Sequence, residues 1–137
     1  GLGVVLGDLV DPQGVDGRLV LPLAGLELAR LAYQKGEKSA ARGHLEGVAD
    51  SAPDPTLREV ARLRLARLLM DMGETDALAA LLDQAPLQAF AGEFGVLRGD
   101  LARVQGDRAA ARQAYLDALA AGVDDAAFVR MKLVDVG

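Results

Sequence analysis

The chain has 137 residues, 51% of them apolar, with 25 Ala and 24 Leu, and its 15 basic and 20 acidic side chains give a net charge of −5. It contains no Cys, Trp, Ile or Asn, and only one His, two Ser and two Thr. This alphabet favours helix over strand, excludes thiol catalysis, disulfides and Cys-based metal sites, and leaves His44 and carboxylates as the only material for a metal site. The acidic balance argues against a duplex-binding surface, which needs clustered cations to displace counterions from phosphates. We therefore expect a single helical domain that is not an enzyme, with no cofactor and no nucleic-acid partner.

Residues 1–21 are rich in Gly, Val and Asp, with turn-like clusters at Asp11-Pro12-Gln13-Gly14 and Asp16-Gly17. They read as an irregular N-terminal segment or the remnant of an upstream helix, ahead of a domain spanning 22–137. Gly1, Gly3 and Gly7 miss the spacing of a dinucleotide-binding loop. The chain opens without an initiator Met and without a signal peptide, so a fragment of a longer protein is expected. Its longest apolar stretch, residues 19–26, is interrupted by Pro22 and Gly25. That is far short of the ~20 residues needed to cross a bilayer, so any membrane anchor is absent from this chain.

From residue 22 onward the punctuation predicts seven helices, at about 22–35, 37–50, 56–72, 75–84, 87–105, 107–121 and 125–136. Three breaks repeat: Gly36-Glu37, Gly73-Glu74 and Gly106-Asp107, a Gly followed by an acid. Seven residues before each Gly stands a small side chain, Ala29, Ala66 and Gly99; four after it stands Ala40, Ala77 and Ala110; nine after it come Leu45, Leu82 and Tyr115. A terminal Gly takes the left-handed conformation that satisfies a helix's last carbonyls, and an acid beyond it favours the positive end of the next helix. Each unit is then a helical hairpin in which a small residue admits a bulky one. One hairpin cannot bury its apolar face alone, so the hairpins are expected to stack.

In the third helix, Thr56 with Glu59 reads as a capping box. The helix is apolar on two sides: Leu57, Ala61, Leu65, Leu68, Leu69 and Met72 on one, Val60, Leu63 and Met70 with Arg67 on the other. The second stripe either packs against neighbouring hairpins or lines an open groove. Gly122 ends the sixth helix, Asp124 or Asp125 starts the seventh, and Phe128, Met131, Leu133 and Val134 give that last helix a face suited to capping the stack. His44, with Glu46 and Asp50 nearby, reads as a packed or half-exposed side chain, and neither Ser39 nor Ser51 has a catalytic setting.

The spacing of Leu97-Arg98-Gly99-Asp100, Gly106-Asp107, Ala111, Tyr115 and Ala118 is similar to that of tetratricopeptide repeats, although most consensus aromatic positions are Leu or Ala. The ordered set of residues 61–69 (Ala-Arg-Leu-Arg-Leu-Ala-Arg-Leu-Leu), 97–100 and 106–111 resembles the periplasmic domain of YfgM-type ancillary subunits of the Sec translocon. The resemblance runs from about residue 22 to the end. It implies an all-α, tetratricopeptide-like helical-hairpin solenoid of about three hairpins plus a C-terminal capping helix. It also implies a protein-protein interaction role beside the SecYEG channel and a prolyl-isomerase-like periplasmic chaperone, acting on emerging secreted proteins. The full-length protein would be anchored on the periplasmic side of the bacterial inner membrane, with this fragment soluble. By analogy with the face such repeats use, the partner-binding candidates are Leu26, Arg30, Tyr33, Val60, Leu63, Arg67, Met70, Glu93, Asp100 and Arg103. The alternative is a soluble cytoplasmic adaptor of the same fold with no link to secretion.

Overall fold

Three glycines with positive φ define the architecture. Gly36, Gly73 and Gly106 have φ of 79°, 73° and 84°, and each closes the same double hydrogen bond. The glycine amide donates to the carbonyl three residues back: Gly36 to Tyr33 at 2.9 Å, Gly73 to Met70 at 3.1 Å, Gly106 to Arg103 at 3.0 Å. The amide of the following acid donates five residues back, to Ala32, Leu69 and Ala102, each at 2.9 Å. This is the left-handed helix stop anticipated from the repeated Gly-acid pairs. The acids themselves divide. Asp107 Oδ1 accepts from the Ala110 amide at 3.0 Å and caps the next helix, whereas Glu37 and Glu74 hold the same backbone position without a side-chain cap bond; Glu is a poorer capping residue than Asp at that position.

The computed structural model describes residues 17–137. Among these are seven α-helices and no strand: α1 Val20–Gln34, α2 Lys38–Ser51, α3 Pro55–Met72, α4 Thr75–Leu82, α5 Ala91–Val104, α6 Arg108–Ala121 and α7 Ala126–Val136. The Gly-acid turns join α1 to α2, α3 to α4 and α5 to α6, giving three hairpins and a final helix, the all-α organisation expected. Two short 3-10 turns, Gly17–Leu19 and Gln88–Phe90, lead into α1 and α5. Residues 17–21, read from the sequence as part of an irregular segment, thus form a 3-10 turn and the start of α1; residues 1–16, including the glycines tested for a phosphate loop, lie outside the described residues. The chain divides into two units, one ending at Leu65 and one covering Ala66–Gly137, with the division inside α3.

In the first unit, α1 packs on α2 with Leu26, Ala29 and Ala32 facing Ala41, Leu45 and Val48, all buried. Gly25 lies against this seam, where an added Cβ would come within 2.6 Å of Val48 Cγ2. In the second unit α5 and α6 repeat the arrangement more tightly. Ala111, Tyr115 and Ala118 are buried, and the facing side of α5 is lined by glycines. An added Cβ at Gly95 would sit 3.0 Å from Ala118 Cβ, and one at Gly99 only 2.5 Å from Tyr115 Cδ1. The small residue seven before the turn is therefore matched to the bulk nine after it: Ala29 with Leu45 in the first hairpin, Gly99 with Tyr115 in the third. Ala66 and Leu82, the equivalent pair of the second hairpin, are also buried.

Of the alanines four residues past each turn, Ala40 and Ala110 are exposed, and the buried positions are one residue on, at Ala41, Leu78 and Ala111. Two local expectations are corrected. The third helix starts earlier than its supposed capping box. Asp54 Oδ1 accepts from the Leu57 amide at 3.0 Å, Pro55 takes the first helical position where its missing N–H costs nothing, and Thr56 is already helical. Glu59 is buried and paired with Arg62. Finally, α7 packs through Val129 and Val136, with Leu133 beside them against Ala111 and Tyr115. Phe128, Met131 and Val134 are exposed.

Gly99→Ala forces a methyl group into the Tyr115 ring. Overpacking of this kind costs about 1–3 kcal/mol, against a gain of about 1 kcal/mol in helix propensity, so net destabilisation is expected. Adding Tyr115→Leu, which recreates the Ala–Leu pair of the first hairpin, recovers most of the loss, and urea unfolding of the three chains measures both effects. Asp54→Ala is expected to cost about 1 kcal/mol by removing the cap of α3, while Thr56→Ala stays within a few tenths in the same assay.

Candidate partner-binding surface

The ten candidates sit on the first helix of each hairpin, α1, α3 and α5, and the structure sorts them by exposure and by pairing. On α1, Leu26 is buried in the seam with α2. Arg30 is exposed and donates from Nε to Glu27 Oε2 at 2.9 Å. That hydrogen bond, with a further attraction from Arg64 on α3, holds the Glu27 carboxyl below the usual carboxylate range. Tyr33, 48% exposed, lies at the end of α1 with Lys38 Nζ 6.0 Å from its ring centroid. On α3 in the same unit, Val60 is partly exposed and Leu63 is buried.

In the second unit, Arg67 is exposed and Met70 partly so. Arg67 Nη2 donates to Glu93 Oε2 at 3.2 Å, and Glu93 Oε1 accepts from the Asp124 amide at 2.9 Å, so one carboxylate ties the end of α3 and the loop before α7 to the start of α5. Asp100 is the centre of a second cluster. Its Oδ1 accepts from Tyr115 Oη at 2.5 Å and from Lys132 Nζ at 2.9 Å, joining α5, α6 and α7. Burial, and then the bond to Asp100, push the Tyr115 hydroxyl well above its ordinary range, so it stays a proton donor at any physiological pH. Lys132 Nζ also lies 4.7 Å from the centroid of Phe128. Arg103, near the end of α5, is exposed.

Leu26 and Leu63 are thus corrected from surface to interior: Leu26 is buried in the seam with α2, and Leu63, on the second stripe of α3, is buried as well. Asp100 is largely committed to Tyr115 and Lys132. The candidates left with accessible surface are Arg30, Tyr33, Val60, Arg67, Met70, Glu93 and Arg103, polar or amphipathic side chains with little chemistry of their own. Sequence reasoning missed Lys132 as the partner of Asp100. The 32-residue separation carries no local signal. Asp125 does cap α7, accepting from the Phe128 amide at 3.1 Å, while the Asp124 amide serves Glu93. His44 is half-exposed on α2 and has no hydrogen-bond partner among the described residues; among the same residues no group of three or more His, Cys, Asp or Glu is placed to hold a metal. None of the described helices is long and apolar enough to cross a membrane.

Hairpins repeated through the same left-handed glycine turn, with small-to-bulky matching in the first and third, are a repeat architecture, and a family model described as a tetratricopeptide repeat-like domain matches residues 15–137. The chain belongs to the tetratricopeptide repeat-like family. Two curated relatives of this tetratricopeptide repeat-like chain bear the same name, ancillary SecYEG translocon subunit. The one from Escherichia coli is 36% identical over 94 residues, 68% of this chain and 45% of that protein. The one from Haemophilus influenzae is 28% identical over 97 residues, 71% of this chain and 48% of that protein. The chain spans about half the length of these curated relatives. No solved structure matches it.

The sorting of the candidates gives a direct check. Leu63→Ala is expected to lose about 2–4 kcal/mol as a buried leucine truncated to alanine, and Arg103→Ala to change stability by less than about 0.5 kcal/mol; thermal unfolding of both variants beside the parent chain compares them.

Proposed function

We propose that this chain is the protein-interaction domain of an ancillary subunit of the Sec translocon. Its full-length form is held on the periplasmic side of the bacterial inner membrane by an anchor outside these residues. There it binds the SecYEG channel and a prolyl-isomerase-like chaperone and assists secreted proteins as they emerge. The observation that carries this reading is the likeness to two proteins that bear the name ancillary SecYEG translocon subunit, extending over 68% and 71% of the chain. Membership in the tetratricopeptide repeat-like family supports a role in binding proteins, not in catalysis.

The chemistry of the exposed candidates agrees with such a role. Arg30, Tyr33, Arg67, Met70 and Arg103 combine guanidinium groups with an aromatic and a thioether, the side chains enriched where proteins meet.

The test is partner capture by the full-length protein in living cells. A photo-crosslinking amino acid is introduced at Tyr33, Met70 or Arg103, and the captured proteins are identified by mass spectrometry. Channel subunits and a periplasmic chaperone are expected among the products. Recovery of cytoplasmic proteins alone would overturn the assignment in favour of an adaptor unconnected with secretion.

A further inference from the structure

The outward side of α7 is an apolar seam bordered by two uncommitted charges. Phe128, Met131 and Val134 are 51%, 66% and 80% exposed, and Ala127 beside them is exposed as well. Ala127, Met131 and Val134 follow one another at intervals of four and three residues, the d, a, d spacing of a coiled-coil seam. Immediately before the central a position stands Arg130, and immediately after the second d position stands Asp135; both are exposed. Neither side chain has a partner among the described residues. Asp135 is engaged only through its backbone carbonyl, which accepts from Arg108 Nη2 at 2.7 Å, and the third charge of the helix, Lys132, is turned inward to Asp100.

The five-residue step from Arg130 to Asp135 is what identifies the occupant. In a parallel pair of helices, a residue just before an a position reaches across to the residue five places further on in the other helix. An acid and a base five apart on the two edges of one seam are therefore complementary to a second copy of the same helix, and the two-fold axis makes the ion pair twice. In an antiparallel pair, like edges meet, and Arg130 would face the Arg130 of the other copy. The geometry points to parallel self-association of this chain through α7, with Met131 and Val134 in the seam and Arg130 paired to Asp135 across it.

A seam of one 11-residue helix covers far less than the ~800 Å² per partner of a standard interface. The association is accordingly weak and concentration-dependent. Sedimentation equilibrium of the 137-residue chain, at low salt and from about 10 µM to about 1 mM, is expected to show a monomer–dimer equilibrium within that range. Met131→Lys places a charge in the seam and abolishes the dimer. Arg130→Asp alone and Asp135→Arg alone each turn two attractions into repulsions and weaken it about tenfold or more.

Two rescues then follow. Arg130→Asp combined with Asp135→Arg in one chain restores dimerisation, and a mixture of the two single variants forms a heterodimer more tightly than either variant pairs with itself. The altered side chains are exposed, and unchanged circular dichroism and melting temperature show that the fold is kept. A chain that stays monomeric at about 1 mM overturns the inference, as does a dimer indifferent to Met131→Lys. A dimer that needs Met131 but ignores the charge reversals overturns the parallel register.

Discussion

The close approach of the two helices in each hairpin is the constraint on which the rest depends. Where the first helix offers Ala29, the second can carry Leu45; where it offers only Gly99, the second can carry Tyr115. The sum of the two side chains is held while its division shifts, which is how a seam keeps its packing density when the sequence drifts. Tyr115 then has consequences of its own. A ring driven fully into the interior takes its hydroxyl with it, and a buried hydroxyl must find a partner. Asp100, one residue after the glycine that admits the ring, supplies it, and Lys132 balances the charge so created. The docking of α7 is thus tied to a glycine two helices away.

Charge joins helices within each unit in the same way. Arg64 of α3 attracts Glu27 of α1, Arg67 of α3 binds Glu93 of α5, and Asp100 of α5 binds Lys132 of α7. The more exposed of these pairs, Arg67 with Glu93, contributes little stability. Within each unit the pairs set opposite charges between neighbouring helices. Among the described residues no buried side-chain nitrogen or oxygen lacks a partner, so this order is obtained without an unsatisfied polar group.

The hairpins were legible in the sequence because their signals are local. A Gly-acid pair, a small residue seven positions earlier and a bulky one nine later are all fixed by the geometry of two helices and one turn. What escaped the sequence depended on knowing which side of an element faces inward. The last helix carries Val129, Leu133 and Val136 on one side and Phe128, Met131 and Val134 on the other; two apolar stripes of similar strength give no phase, and only contact with Ala111 and Tyr115 decides between them. Leu63 posed the same difficulty on α3, apolar on both sides. The start of α3 was misread for another reason. Asp54-Pro55 and Thr56 with Glu59 are rival caps two residues apart, and the preference of Pro for the first helical residue settles the competition. At the candidate surface, exposure separated Tyr33 and Arg103 from Leu26 and Leu63, a distinction that residue type alone does not make.

The small and bulky positions that recur in the hairpins are close in sequence. Ala29 and Leu45, Ala66 and Leu82, and Gly99 and Tyr115 are each separated by sixteen positions. Contacts of such short range ask for little loop-closure entropy before they form, and folds built from them are reached quickly. Each turn glycine is therefore also a timing device: once the second arm of a hairpin has been made, its partner is already within reach, and the chain does not have to wait for its far end before beginning to fold.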